Sequence, residues 1–288
     1  MVFLIVILGL AAVLAVVFAL MLKGYQNKST PHRYTPAKLN IAFQEVSIPT
    51  RNARKLYGWW IPSGKGCDRQ HPVIVLVHGW NRNVERMLPY IQRLYPMGYN
   101  LLAFDSRNHG SSDRDGYSSM LKFAEDIMAA VDFLKQQPCV DMEKIGVTGL
   151  SIGGAASVFA AAQDHRIKSV ITVGAFAHPV DMMRPELKKR HIPTPIINMF
   201  LKYVELKIGT SFDSFAPVNN IARADAHFLI IHGTADETVP AEHADRLKSA
   251  GLPGKVELWR VPEKGHSNCN HHPDFWKRVE EFLNEYLS

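Results

Sequence analysis

The sequence predicts an α/β protein in which helices cover both faces of a doubly wound, mostly parallel sheet. Apolar runs of strand length alternate with helical segments along the chain. A composition of 47% hydrophobic and 21% charged residues is ordinary globular usage, and 288 residues suffice for one sizeable domain. The predicted helices include residues 83–95, 119–136 and 272–286.

The first predicted strands are a pair at residues 42–49 and 56–62, which we expect to form an antiparallel hairpin at the edge of the sheet. Buried strands follow at residues 73–77, 144–148 and 170–174, within 228–236, and at 256–261. Residues 177–226 exceed an ordinary connection between two such elements and are a candidate helical cap. The predicted domain covers residues 40–288.

A Gly-x-Ser-x-Gly pattern at Gly149, Ser151 and Gly153 lies between the predicted strand 144–148 and a stretch of helix-forming residues. Strand, sharp turn and helix are the context in which such a serine is a nucleophile. The serine occupies a strained turn, where a side chain two residues to either side would collide with the neighbouring strand and helix. The pattern alone is also compatible with a serine that only shapes the turn.

A serine hydroxyl becomes a strong nucleophile when a histidine takes its proton and a carboxylate orients that histidine. Asp236 lies at the end of the apolar run 228–236, and His266 lies in the loop after the strand at 256–261. The chain order of Ser151, an acid and a histidine is therefore suited to nucleophilic catalysis.

Other carboxylates compete for the role of the acid. Asp236 is also suited to cap a helix that begins a few residues later, because aspartate favours that position. In that case Asp225 or Asp245 would supply the carboxylate. Glu237 is adjacent to Asp236, and we expect it to point to the opposite side of the loop.

Other histidines compete for the role of the base. The chain holds 13 histidines, and His271 and His272 lie close to His266 in sequence. Gly265 allows a tight turn that brings His266 towards the serine. We expect His271 and His272 to cap the C-terminal helix instead.

Five segments together resemble the successive signatures of the α/β-hydrolase superfamily, as found in its esterases and lipases. They are VHGW at 77–80, DSRNHGSS at 105–112, GLSIG at 149–153, HGTADETVP at 232–240 and GH at 265–266. The resemblance covers roughly residues 41–288 and implies an open, mostly parallel eight-stranded sheet with helices on both faces. It also implies that Ser151 is the nucleophile, Asp236 the acid and His266 the base.

An acyl-transfer enzyme needs donors where the oxyanion charge develops, and these are usually backbone N–H groups. One should be the N–H of Ile152, next to the nucleophile. In relatives with a His-Gly-x turn after the third strand the residue after the glycine donates, which assigns the other N–H to Trp80, with Asn81 as the alternative. The Trp80 side chain either walls an acyl pocket or is simply a core aromatic.

The resemblance implies a serine hydrolase that cleaves carboxylic esters and needs no metal or organic cofactor. Met182, Met183, Met199 and Phe200 of the candidate cap are available to line an apolar acyl cleft, or they only pack on the domain. Three other enzyme types use the same triad, namely thioesterases, acyltransferases and peptidases. A non-catalytic binding module on the same fold is a further alternative.

Residues 1–22 form an unbroken apolar run, and about 20 such residues are needed to cross a bilayer. We expect an uncleaved transmembrane anchor, followed by a polar tether at residues 23–39. The alternative is a cleaved signal peptide and a secreted enzyme, but no Lys or Arg precedes Lys23.

Positive charge follows the apolar run, at Lys23, Lys28, Arg33 and Lys38, and the positive-inside rule then places the domain in the cytoplasm. Three cysteines without framework spacing fit a reducing compartment. The net charge of +6 is explained better by anionic lipid than by nucleic acid, for which no motif is present. The expected substrate is a small-molecule or lipid ester.

Overall fold

The computed structural model describes residues 2–24, 26, 27 and 30–287, without the side chains of residues 2–8, 10 and 11. Its eight strands are β1 (Gln44–Thr50), β2 (Arg54–Ile61), β3 (His71–Val77), β4 (Asn100–Phe104), β5 (Val140–Leu150), β6 (Ile167–Val173), β7 (His227–Gly233) and β8 (Val256–Val261). Its α-helices are α1 (Val2–Lys23), α2 (Leu88–Leu94), α3 (Met120–Leu134), α4 (Ile152–Gln163), α5 (Pro179–Lys189), α6 (Thr194–Ile208), α7 (Phe212–Phe215), α8 (Pro217–Asn220), α9 (Glu242–Ala250) and α10 (Phe275–Leu287).

The strands form one sheet in the order β1-β2-β4-β3-β5-β6-β7-β8. β2 runs antiparallel to both β1 and β4, and every other neighbouring pair is parallel. The predicted edge hairpin and the predicted eight-stranded, mostly parallel sheet are therefore confirmed. Because the parallel strands share one direction, the loops after β3, β5, β7 and β8 emerge at the same edge of the sheet.

Two apolar cores lie on the two faces of the sheet, as the side-chain alternation of a strand requires. In β3, Val73, Val75 and Val77 point into one core, which α3 and α4 cover. Ile74 and Leu76 point into the other core, which α2 and α10 cover. Helices on both faces of the sheet are thus confirmed.

The predicted cap contains four helices, α5 to α8, between β6 and β7. Phe200 and Val204 of α6 are buried, as are Phe212 and Phe215 of α7. Met182 and Met183 of α5 are partly buried, whereas Met199 of α6 is exposed. The cap therefore packs its aromatic residues against the domain and keeps two of its methionines at an inner surface.

The expected transmembrane anchor is not supported. Part of the predicted span at residues 1–22, namely residue 1 and the side chains of residues 2–8, 10 and 11, lies outside the described part of the chain. In the part of the chain that the structure describes, no helix is long and apolar enough to cross a membrane. The C-terminal half of α1 packs on the domain instead, because Phe18 is 5% exposed and contacts Phe200 of α6.

Two of the three cysteines are paired. The inference of a reducing compartment, which treated all three as free thiols, therefore loses its basis. Cys67 and Cys139 form a disulfide, with their Cα atoms 5.3 Å apart, within the usual range for such a bond. Only Cys269 of the three is free, and it is buried. The expected reducing environment is therefore not favoured by the cysteine pattern.

Candidate active site

Ser151 lies at the sharp turn between β5 and α4, as predicted. Its φ of 54° and ψ of −120° are strained for a residue with a side chain, and its N–H donates to Val173 O at 2.8 Å. The residue is half-buried at the C-terminal edge of the sheet. The turn thus presents the hydroxyl at this edge rather than burying it in the core.

Glycines make the turn possible because backbone atoms of other residues lie where a Cβ would be. A Cβ at Gly149 would lie 2.5 Å from the Gly153 carbonyl carbon, and a Cβ at Gly153 would lie 2.5 Å from His78 O. A Cβ at Gly154 would lie 2.8 Å from Gly149 O. Real Cβ atoms do not approach backbone so closely, so the three positions tolerate only glycine without a shift of α4 against β5 or β3.

Asp236 and His266 meet in the loops after β7 and β8. His266 Nδ1 lies 2.7 Å from Asp236 Oδ2. The other carboxylate oxygen, Oδ1, accepts the N–H groups of Thr238 and Val239, each at 2.9 Å. The Asp236 side chain is fully buried, whereas that of His266 is 20% exposed. Two residues 30 apart in sequence are therefore held as a hydrogen-bonded pair with only the histidine reaching the surface.

The electrostatics of this pair fix which histidine nitrogen carries the proton. Burial raises the pKa of Asp236, but hydrogen bonds from His232, His266 and Val239 outweigh it, so that this pKa lies below its usual value of 3.8. An ionised carboxylate only accepts hydrogen bonds, so Nδ1 of His266 carries the hydrogen. Nε2 of a neutral His266 is then the acceptor, as a general base requires.

Of the competing carboxylates, Glu237 lines the larger cavity at Ser151, whereas Asp225 and Asp245 lie elsewhere. The helix after Asp236 is α9, and its N-terminal residue is preceded by Ala241 rather than capped by Asp236. Asp225 is exposed and pairs with Lys255, and Asp245 pairs with Arg260 on the surface.

The competing histidines are also accounted for. His271 closes a short 3-10 turn, Cys269–His271, before α10. His272 Nδ1 accepts the N–H of Asp274 at 3.2 Å, and its ring lies edge-on to Trp259. Neither histidine lines the cavity that contains His266.

The turn after β3 lies against Ser151. A Cβ at Gly79 would lie 3.5 Å from Ser151 Cβ, so Trp80 begins beside the candidate nucleophile. His78 Nδ1 donates to Gly79 O at 2.8 Å, and His78 Nε2 accepts the N–H of Ser106 at 3.0 Å. Because C=O and N–H of a trans peptide are coplanar and opposed, the bond to Gly79 O fixes the direction of the Trp80 N–H. Burial and, to a smaller extent, the neighbouring His109 together lower the pKa of His78 to about 3, so His78 stays neutral.

Ile152, the other predicted oxyanion donor, is the first residue of α4. The first N–H groups of a helix have no partner within it, and they carry the positive end of the helix dipole. The residue itself is buried directly after Ser151. The position of the Ile152 N–H is therefore suited to donate a hydrogen bond to an oxyanion on the carbon atom that is bonded to Ser151 Oγ.

Two cavities meet at Ser151. The larger one, about 700 Å³, has a mainly apolar surface to which Met182, Met183 and Phe215 of the cap contribute, with charged side chains such as Glu186, Lys189 and Glu237 also in its lining. The smaller one, about 230 Å³, contains His266 and polar side chains such as Arg82 and Asn270. Ser151, Trp80 and Thr238 line both cavities. The serine therefore lies at the junction of the two cavities, of which the smaller one contains His266.

Two residues that support the site could not be identified from the sequence pattern. His232, buried at the end of β7, donates from Nε2 to Val239 O at 2.7 Å and lies 3.4 Å from Asp236 Oδ2, so it holds the loop of the acid. Gly174 has a φ of +67°, and a Cβ there would lie 3.0 Å from His266 Nδ1. Gly174 acts on His266, which is distant in sequence. His232 acts on Val239 and Asp236, which are seven and four residues away, and its only signal was that it belongs to the motif around Asp236.

Among the described residues, no group of three or more His, Cys, Asp or Glu side chains is arranged to hold a metal ion.

Comparison with known proteins identifies the family to which the chain belongs. The sequence profile of the prolyl oligopeptidase family matches residues 122–288, more than half of the chain, including Ser151, Asp236 and His266. The chain is 26% identical over 254 residues to the uncharacterised protein YfhR of Escherichia coli O157:H7, covering 85% of this chain and 81% of YfhR. It is 34% identical over 135 residues to a thiohydrolase of Aspergillus aculeatus, covering 46% of this chain and 41% of that protein.

Among solved structures, the chain is similar to an esterase of Pyrococcus furiosus. The TM-score is 0.70 at 25% sequence identity, and the match covers 91% of this chain and all of the esterase.

Proposed function

The chain belongs to the prolyl oligopeptidase family and is a hydrolase with the α/β-hydrolase fold; from that premise we propose that it cleaves carboxylic esters with an apolar acyl group. The observation that carries the proposal is the position of Ser151 at the junction of the two cavities, one of which contains His266 paired with Asp236. The triad is Ser151, Asp236 and His266.

In the first half-reaction Ser151 Oγ attacks the ester carbonyl while Nε2 of His266 takes the hydroxyl proton. The ionised Asp236 stabilises the imidazolium that forms and keeps its ring oriented. The N–H groups of Trp80 and Ile152 stabilise the oxyanion of the tetrahedral intermediate. His266 then protonates the leaving alcohol, and an acyl-enzyme remains on Ser151 Oγ.

In the second half-reaction a water molecule loses a proton to Nε2 of His266 and attacks the acyl carbonyl. The tetrahedral intermediate collapses, His266 returns the proton to Ser151 Oγ, and the carboxylic acid leaves. No metal or organic cofactor takes part in either half-reaction.

The two cavities support an assignment of the two halves of the ester. The larger cavity suits the acyl group because Met182, Met183, Phe212 and Phe215 offer apolar contacts. The smaller cavity suits the alcohol and the hydrolytic water, because His266 lines it and must reach the leaving oxygen. Its volume of about 230 Å³ favours a small alcohol.

The activity is tested with p-nitrophenyl esters from acetyl to palmitoyl, in detergent, using the wild type and Ser151→Ala. We expect the wild type to prefer an acyl chain longer than acetyl and Ser151→Ala to lose activity on every ester. A matched series of acyl thioesters and of peptide anilides tests the alternatives. The family membership favours the peptidase, and the likeness to a thiohydrolase favours the thioesterase. Faster cleavage of either series would replace the ester proposal.

We also propose that the protein binds to the surface of anionic membranes through α1 and α6. Of the exposed large apolar side chains, Val13 and Val16 lie on α1, and Met199 and Leu206 lie on α6, with Leu206 79% exposed. Lys207 lies on the same helix next to Leu206 and supplies positive charge for anionic headgroups, whereas Lys202 pairs with Glu205 at 2.8 Å.

The membrane proposal is tested by sedimentation with vesicles of phosphatidylglycerol and phosphatidylcholine in equal parts. Wild-type protein should sediment with them, and Leu206→Glu should sediment less. Leu252→Glu is the control, because Leu252 is exposed in the loop before β8, away from both helices. Equal sedimentation of both variants and the wild type would contradict the proposal.

A further inference from the structure

The end of α1 and the chain that follows it cross the domain from the cap to the turn after β3. We call this segment the N-terminal strap; it comprises residues 14–24, 26, 27 and 30–33. The strap contacts the cap at one end and the loops beside Trp80 at the other. Between these contacts, one of its residues lines the larger cavity.

At the cap, the strap is held by aromatic contacts. The ring of Phe18 lies edge-on to that of Phe200, with centroids 5.6 Å apart, and its centroid is 5.5 Å from that of Tyr203. Leu14 and Met21 are partly buried against the same core. Spacings of three and four residues place these side chains on one face of α1, so the helix end is fixed against α6.

Beyond α1 the strap is held by polar contacts to the loops that carry the oxyanion turn. The buried side chain of Asn27 is hydrogen-bonded to His109, whose ring lies 5.9 Å from that of Trp80. Thr30 O accepts the side-chain N–H of Asn83 at 2.9 Å. The N–H of Arg33 donates to Glu85 Oε2 at 2.6 Å.

Between these two anchored ends, Leu22 lines the larger cavity together with Val204 and Ile208 of α6. The side chain is half-buried, and its neighbours in the cavity are apolar. Because Phe18 fixes the chain on one side of Leu22 and Asn27 fixes it on the other, Leu22 is a wall of defined position.

We propose that Leu22 of the N-terminal strap limits the length of the acyl group that the larger cavity accepts. The inference rests on the proposed ester hydrolysis and concerns the specificity of that reaction. Apolar pockets discriminate by space: one methylene more or fewer changes kcat/KM by about 10- to 200-fold. A side chain in the wall of the cavity takes up space that the acyl group could otherwise fill, and it thereby affects the chain length at which kcat/KM falls.

The test replaces Leu22 by a smaller and by a larger side chain and repeats the p-nitrophenyl ester series. Leu22→Ala removes three carbons, and we expect kcat/KM to rise about tenfold for esters about two carbons longer than the wild-type optimum. Leu22→Trp should lower kcat/KM by at least about tenfold for the longest accepted esters, mainly through KM. For each variant, kcat/KM for every longer ester is divided by its own kcat/KM for the acetyl ester, so that a general change in activity does not alter the chain-length profile.

Leu252→Ala is the matched control, because that leucine is exposed and is not among the residues that line the cavity. Thermal unfolding of each variant checks that the fold is intact, and the two replacements must move the profile in opposite directions. Identical chain-length profiles for the wild type, Leu22→Ala and Leu22→Trp would overturn the inference while the ester hydrolysis stands. Absence of hydrolysis in the wild type with every ester would instead reject the proposed function.

Discussion

At the scale of single residues, the chemistry depends on a few groups held in strained or buried positions. Ser151 has a positive φ, and Asp236 is buried with two backbone N–H groups and two histidines around it. The sequence predicted these positions for two reasons. The glycines next to the serine permit its strained turn, and the acid and the histidine follow the serine in the chain order of the α/β-hydrolases. It could not predict Gly174, because that glycine lies against His266, a residue distant in sequence. It could not predict the role of His232 either, because the contacts of His232 to Val239 and Asp236 depend on how the loop after β7 folds.

Replacing Asp236 by Asn should lower kcat by about 10⁴-fold with the fold intact. An amide at this position can donate to His266 Nδ1, which favours the tautomer that cannot accept the proton of Ser151. The measurement is kcat on the preferred p-nitrophenyl ester. Asp225→Asn and Asp245→Asn are the controls and should retain wild-type kcat. A larger loss of kcat in either control than in Asp236→Asn would show that Asp236 is not the acid of the triad.

The same substitution should change the acid dependence of stability. Burial raises the pKa of Asp236, but its hydrogen bonds lower it below 3.8, so below about pH 4 the unfolded chain binds more protons than the folded one. The stability from Asp236 is therefore full above about pH 4 and is lost as the pH falls towards the lowered pKa. In urea unfolding, Asp236→Asn should lose less free energy of unfolding than the wild type between about pH 5 and pH 3. An equal loss would contradict the lowered pKa.

Gly153→Ala tests the close approach at the turn. The new Cβ would lie 2.5 Å from His78 O and 2.8 Å from Val77 O, so β3 or α4 must shift. We expect the free energy of unfolding to fall by roughly 1–3 kcal/mol, as for overpacking in a core. Gly265→Ala is the control for stability, because its Cβ would lie 3.4 Å from Ala235 O. Equal unfolding free energies for Gly153→Ala and the wild type would contradict the close approach.

At the scale of elements, strands and helices with a clear apolar pattern were predictable. The edge hairpin, β8 and the C-terminal helix follow directly from residue pattern. β4 is less marked, because Asn100–Phe104 holds no β-branched residue and becomes a strand by pairing with β2 and β3. The packing of α1 on α6 was not predictable either, since an apolar helix is compatible with several environments.

The disulfide between Cys67 and Cys139 links the loop before β3 to the start of β5. It closes a loop of 72 residues, for which the loss of chain entropy in the unfolded state corresponds to roughly 4 kcal/mol. The double variant Cys67→Ser, Cys139→Ser should therefore unfold at lower denaturant concentration than the wild type under oxidising conditions. With dithiothreitol present the two proteins should unfold alike.

The disulfide also bears on the compartment. A formed bond in protein isolated with free thiols blocked would favour an oxidising compartment, in line with the secreted alternative, over the cytoplasm that the positive charges predict. Unchanged electrophoretic mobility with and without reductant, together with two alkylated cysteines at these positions, would show that the bond is not formed.

At the scale of the whole molecule, the site is assembled by the sheet. The loops after β3, β5, β7 and β8 bring Trp80, Ser151, Asp236 and His266 to one edge, which the alternation of strands and helices predicted. The two cavities were not predictable, because they depend on how α5 to α8 and the N-terminal strap pack over that edge. Specificity therefore lies in the packing of the whole chain, whereas the proposed chemistry lies in four loops.

The central claim is that Ser151 is the nucleophile that His266 activates. The most direct measurement is to treat the folded protein with a fluorophosphonate and to locate the adduct by mass spectrometry of its peptides. We predict one adduct, on Ser151 Oγ, that is absent from Ser151→Ala and forms far more slowly in His266→Ala. An adduct on another residue, or none on a protein that unfolds cooperatively, would contradict the claim.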